Sequence, residues 1–204
     1  MVETQLRRRG IRDERVLQAM LEIPREEFVR EECRETAYSD DPVHIGYAQT
    51  ISQPYMTALM AECLELTGSE AVLEIGTGSG YAAAVLGALA MRVITVELIP
   101  ALARFARQNL ARTGRDHNVL VVCADGTFGY SQGAPYDAIS IAAGAPEIPQ
   151  ALLDQLNDPG RLVMPVGPSR DQELRVITKR EGNMETRVAT ICRFVPLRGG
   201  EGWQ

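Results

Sequence analysis

A chain of 204 residues can bury a full core in one domain, and its net charge of -6 excludes a nucleic-acid binder that works through a broad basic face. With 45% hydrophobic and 24% charged residues the composition is that of an ordinary globular protein. No run is long enough to cross a bilayer and no apolar leader opens the chain, so a cytoplasmic protein with no membrane partner is expected. Cys33, Cys63, Cys123 and Cys192 lie far apart with no C-x-x-C pair, which suits reduced thiols and argues against a metal site.

Taken in order, VETQLRRR predicts a short helix stopped by Gly10, and ERVLQAMLEI a second one, capped by Asp13 and halted by Pro24. REEFVREEC adds a turn or two, and SDDP (39–42) is loop. GYAQTISQPY, Gly46 to Tyr55, then sets Gln49, Thr50 and Ser52 ahead of Pro54, a residue suited to the first turn of a helix. Met56, Leu59, Met60, Cys63 and Leu64 recur at helical spacing as a buried stripe. The hydroxyls before that helix fit either of two roles, capping it or holding a small anion.

From Ala71 strands and helices alternate. AVLEIG, RVITVEL, NVLVVCA, YDAISIAA and GRLVMPVG read as strands, while YAAAVLGALA, PALARFARQNLAR and IPQALLDQL read as helices. Residues 172–178 and 187–197 predict two more strands, joined as a hairpin across Glu181 to Asn183. Short continuous apolar strands with helices between them indicate a doubly wound, mostly parallel α/β sheet. The expectation is one domain over 1–204, with a helical cap and substrate loop at 1–53 and an α/β core at 54–204. The ligand belongs beyond the carboxyl ends of the central strands.

The first of those strands ends in VLEIGTGSGY, with glycines at 76, 78 and 80. Glu97 closes the next strand, where a carboxylate can take a ribose diol, and Ala124-Asp125-Gly126 follows the third. The spacing G-x-G-x-G, with Tyr81 where a dinucleotide site expects its third glycine, departs from the NAD pattern, and there is no phosphate-binding P-loop. Glu74, just before the glycines, is awkward beside a pyrophosphate and suits an ammonium group. S-adenosylmethionine carries an ammonium, a sulfonium and a ribose but no phosphate, and it matches these residues better than NAD.

VLEIGTGSGY, ITVE, ADG, APYDAISIAAGAPEIPQALLDQL and GRLVMPVGP, together with QTISQP and the tail FVPLRGGEGW, resemble in order and spacing the protein-L-isoaspartate O-methyltransferases. The resemblance spans nearly the whole chain. It implies a methyltransferase-type Rossmann-like fold and transfer of a methyl group from S-adenosylmethionine to the side-chain carboxylate of L-isoaspartyl residues. The ester then collapses to a succinimide that partly reopens to aspartate, so the partners are age-damaged proteins; a monomer is the family expectation. By position it makes Ser52 the active-site hydroxyl, with Gln49, Thr50 and Ile51 beside the cofactor. Glu74, Gly76, Gly78, Ser79 and Gly80 become methionine and ribose contacts, Glu97 the ribose ligand, and Asp125 with Gly126 the adenine contacts. The chain departs from the family at Ala48, where members commonly have glycine; a positive φ there would strain an alanine.

The implied chemistry agrees with the residues present. A carboxylate with a pKa of about 4 is ionised at neutral pH and needs no general base. Neither His44 nor His117 has an acid paired with it in sequence. Two alternatives share the fold: a relative that esterifies an ordinary aspartate in one peptide, and a non-catalytic S-adenosylmethionine-binding interaction module. An enzyme methylating nucleic-acid amino groups would carry [ND]-P-P-[YF] where this chain has AAGAP, so nucleic acid is not an expected partner.

Overall fold

The computed structural model describes residues 1–203. The N-terminal cap begins with a tight helical turn over Val2–Arg9, ended by Gly10 in the left-handed region at φ 99. Helix α1 (Glu14–Glu22) follows, its first turn capped by the Asp13 carboxylate, which accepts from the Arg15 and Val16 amides. Two 3-10 segments, Arg25–Phe28 and Glu31–Thr36, lead to an antiparallel ribbon of β1 (Val43–Gly46) and β2 (Gln49–Ile51). The ribbon was not foreseen in the sequence. Its connection is Tyr47-Ala48, neither of which signals a turn, yet both are left-handed at φ 54 and 55. Helix α2 (Pro54–Cys63) starts on Pro54 as predicted, and Met56, Met60 and Cys63 are buried.

The sheet is built from β3 (Ala71–Ile75), β4 (Arg92–Glu97), β5 (Val119–Cys123), β6 (Tyr136–Ile141), β7 (Leu156–Val166), β8 (Gln172–Arg180) and β9 (Asn183–Cys192). Their spatial order is β5-β4-β3-β6-β7-β8-β9. The first five named strands pair in parallel and β8 and β9 run antiparallel at one end. Helices α3 (Tyr81–Leu89) and α4 (Pro100–Arg112) provide crossovers, and α5 (Gln150–Asp154) is a short turn before β7. Two boundaries differ from expectation. The last strand spans 183–192 in place of 187–197, because Glu181-Gly182 alone makes the reversal and residues beyond Cys192 leave the sheet. The helix read over IPQALLDQL keeps only five residues, since Leu156 already pairs with Tyr136.

Alternation along β3 divides the core. Val72 packs with α1, α2, α3 and the N-terminal cap, so the cap shares its hydrophobic cluster with the sheet. Leu73 and Ile75 pack on the opposite face with Ile139, Ile141 and Leu152. Glu74 therefore points with Val72, beneath α2 and α3, between its strand neighbours Thr95 and Ser140. The chain runs from β3 outward to β5 and then returns to place β6 on the other side of β3. This reversal opens a crevice at the carboxyl ends of β3, β4 and β6.

Candidate active site

The crevice is a cleft between the strand ends, the segment Gln49 to Ser52 and the C-terminal tail. Its floor is the turn after β3, where Gly76, Gly78 and Gly80 all take positive φ, at 93, 55 and 90. Gly76, Gly78 and Ser79 line the cleft. Gly80 does not: it begins α3, and a Cβ there would stand 3.3 Å from Ala106 and Leu110. Gly80 thus serves close helix packing, the task a dinucleotide site gives to its third glycine.

Glu97 closes β4 at the cleft wall and is 6% exposed. The Gly78 amide donates to one carboxylate oxygen at 2.8 Å and the Ile99 amide to the other at 3.0 Å. Burial pushes its pKa up against these backbone donors. Each oxygen accepts one backbone bond and keeps further acceptor capacity, so the group suits a vicinal diol. Among the described residues, Glu97 and Arg198 are the charged residues on the cleft wall.

Glu74 lies lower. It is absent from the cleft wall and fully buried, facing a smaller cavity that it shares with Ser52, Thr57, Ala82 and Ser140. Thr95 donates to one of its oxygens at 2.5 Å and is itself 2.6 Å from the Thr77 hydroxyl, while the other oxygen has no partner. Burial raises its pKa to about 8, so much of it holds a proton at neutral pH. A buried carboxyl oxygen left unpartnered below a cleft fits a ligand bearing a cationic amine. Ser52, Thr57, Ala82 and Ala142 line both spaces, so the two cavities adjoin.

Asp125 is also withdrawn from the cleft. Its carboxylate accepts from the amide and hydroxyl of Thr127 and from the Gly200 amide at 2.8 Å. Burial pushes this carboxyl up, but those donors prevail and hold it below its usual range. Asp125 here ties down the C-terminal tail, leaving Gly126 to line the cleft. The tail is the wall that sequence reasoning left without a role. Val195, Pro196, Leu197 and Arg198 line the cleft, anchored where the Gly144 amide donates to the Val195 carbonyl and the Gly144 carbonyl accepts from the Leu197 amide and the Trp203 indole. The FVPLRGGEGW segment was its sequence signal.

Gln49, Thr50, Ile51 and Ser52 form the fourth side. Helix α2 has no side-chain cap: its N-cap is Gln53, and the Ser52 hydroxyl makes no helix bond. The Tyr55 amide in the first turn is taken by the Asp40 carboxylate at 3.3 Å, so this helix start is less open to an outside anion than its sequence implied. Ser52 instead stands where the cleft meets a wide groove lined by Arg9, His44, Arg170 and Arg193, which has no acidic residue on its walls. Among the described residues no cluster of metal-ligating side chains occurs and no helix is long and apolar enough to cross a membrane.

The sequence profile of the protein-L-isoaspartate(D-aspartate) O-methyltransferase family matches residues 1–202. The chain is 55% identical over its full length to the protein-L-isoaspartate O-methyltransferase of Methanoculleus marisnigri, covering 92% of that protein. It superposes on a solved protein-L-isoaspartate O-methyltransferase with a TM-score of 0.85 at 32% identity, covering 98% of this chain and 67% of the other. A Plasmodium falciparum protein of the same description, solved in complex with S-adenosyl-L-homocysteine, gives a TM-score of 0.80 at 29% identity over 97% of this chain and 96% of that one. With this fold, this cleft and these relatives, the chain belongs to the protein-L-isoaspartate(D-aspartate) O-methyltransferase family.

Proposed function

We propose that Ser52 orients the substrate carboxylate in an enzyme that methylates the side-chain carboxylate of L-isoaspartyl residues and so begins their repair. The enzyme is an S-adenosylmethionine-dependent protein carboxyl methyltransferase. When bound, S-adenosylmethionine supplies an electrophilic methyl on a sulfonium; all else in the step is alignment by the protein. The observation that carries the assignment is the position of Ser52, at the junction of the cleft and the wide groove, with a hydroxyl that caps nothing. From there it can donate to one carboxylate oxygen and leave the other aimed into the cleft. Glu97 would take the ribose hydroxyls and the glycine turn would let the ligand approach the backbone. Buried Glu74, beneath the junction, would meet the amino-acid ammonium.

The reacting carboxylate arrives ionised, so no base is required and none is provided; no histidine lines the cleft. Attack on a sulfonium annihilates two charges, so a water-poor cleft favours the step, and the buried Ile75, Tyr81 and Val96 give it such walls. The arginines along the groove give an acidic protein a locally positive approach for a carboxylate-bearing peptide. The test is methyl transfer to matched peptides with isoaspartate or aspartate at one position. Transfer confined to the isoaspartyl peptide is expected; equal transfer to both would favour the ordinary-aspartate alternative. Ser52→Ala should lower turnover about 10- to 1000-fold, the cost of one misaligned hydrogen bond at a reacting centre, with little change in unfolding temperature. A destabilised variant with full turnover would return Ser52 to a structural role.

A further inference from the structure

We infer that Arg25 is a positioning residue for the reaction, acting on Ser52 through its backbone carbonyl; the inference rests on the role proposed for Ser52. Arg25 is a fully buried arginine in the charged stretch REEF. Its Nε donates to the Ala37 carbonyl at 2.6 Å and its Nη2 to the Ser52 carbonyl at 2.7 Å. Its guanidinium carbon lies 4.8 Å from the centroid of the Tyr81 ring, which lines the cleft. Among the described residues no carboxylate stands within ion-pair distance of it, and Nη1 has no partner.

A buried cation whose carboxylate neighbour, Asp40, acts on it only from beyond ion-pair distance is costly, and a neutral side chain would fill the same volume more cheaply. What arginine adds is a rigid fork that can hold two carbonyls from separate segments at fixed spacing while stacking on an aromatic ring. Those segments are the cap, through Ala37, and the substrate turn, through Ser52. The turn needs such a hold. It follows a ribbon of only two short strands, a unit that is marginal alone, and it enters α2 without a side-chain cap. Arg25 therefore sets where Ser52 stands relative to the Tyr81 wall of the cleft.

The test is a double-mutant cycle of Arg25→Lys and Arg25→Gln with Ser52→Ala, measuring kcat and KM with an isoaspartyl peptide and cofactor affinity by calorimetry. Lysine keeps the charge and loses the fork; glutamine buries no charge and serves if the lysine variant does not fold. Each Arg25 variant, assayed where circular dichroism shows it folded, should lose about 10- to 100-fold in kcat with cofactor affinity nearly unchanged. In the Ser52→Ala background the same change should cost less than about threefold, because the two residues act as one unit. Faster amide exchange at Met56 and Thr57, whose amides donate to the Gln53 carbonyl, would read the loosened turn directly in the Arg25 variants. Folded Arg25 variants with normal kcat, losses that multiply in the double mutant, or unchanged protection of the turn would each overturn the inference while the Ser52 assignment stood. Normal turnover in Ser52→Ala alone would overturn both.

Discussion

The two halves of the active-site cleft are held by different means. The cofactor half is made of strand ends: Gly76, Gly78 and Glu97 stand where parallel pairing of β3 and β4 puts them, and the Glu97 carboxylate is locked by two backbone amides. The substrate half hangs on a two-stranded ribbon with a left-handed Tyr47-Ala48 turn and on one buried arginine. The first half is fixed by the sheet and can tolerate little change; the second is assembled from side chains and strained backbone, where a specificity can be adjusted without disturbing the fold.

The sharpest way to break the contrast is at Glu97. If the cofactor half is set by the strand ends, Glu97→Ala should weaken S-adenosylmethionine binding by about 1–3 kcal/mol, the loss expected for charge-assisted hydrogen bonds. It should also lower the unfolding temperature, since the Gly78 and Ile99 amides lose their acceptor. Unchanged affinity by calorimetry in a folded variant would remove Glu97 from the ribose role.

The pH dependence of stability separates Glu74 from Glu97 within the same half. The folded pKa of Glu74, about 8, lies above its ordinary value of 4.5, so the folded protein holds a proton that the unfolded chain releases. That contribution to stability is complete below about pH 4.5 and is lost as pH rises through 8, with a limiting slope of about 1.4 kcal/mol per pH unit for one proton. Thermal unfolding between pH 5 and 8 should fall more steeply for the wild type than for Glu74→Gln. Glu97 is shifted in the same direction and remains in both proteins, so the difference reports Glu74. Parallel curves would mean that Glu74 is ionised in the fold.

The same contrast explains which parts were legible in the sequence. Helix α4 was readable to the residue because Pro100 opens it and its apolar spacing is regular. Strands β3, β4 and β6 were readable because burial on both faces makes them continuously apolar. Strand β9 was misplaced because it is a solvent-facing edge, with Met184 to Val188 exposed and no alternation to mark it. Glu74, Glu97 and the glycine turn followed from motif spacing, though that spacing could not tell which oxygen faces the cleft or that Asp125 is engaged by Gly200. The ribbon and Arg25 were hidden for one physical reason. Both depend on tertiary support overriding local preference: Tyr-Ala is a poor turn by propensity, and an arginine among glutamates is ordinarily a surface residue.

The smallest expected effect tests whether the substrate half is strained. Ala48 sits at φ 55 in the two-residue reversal between Gly46 and Gln49, which pair across the ribbon. For an L-residue with a Cβ the left-handed region costs roughly 1–2 kcal/mol, while a glycine gives back about 0.5–1 kcal/mol through its freer unfolded chain. Ala48 is exposed, so its methyl has little packing to lose. Ala48→Gly should therefore stabilise the protein by up to about 1 kcal/mol, a rise of about 2–4 °C in unfolding temperature at this chain length. If the Ser52 turn is placed by the Arg25 bond to its carbonyl rather than by the ribbon tip, turnover on isoaspartyl peptide should stay within about twofold. A lower unfolding temperature would show that the alanine methyl supports the ribbon. A large fall in turnover at higher stability would show instead that strain at the tip is what holds Gln49 to Ser52 over the cleft, and that the substrate half is positioned from both ends.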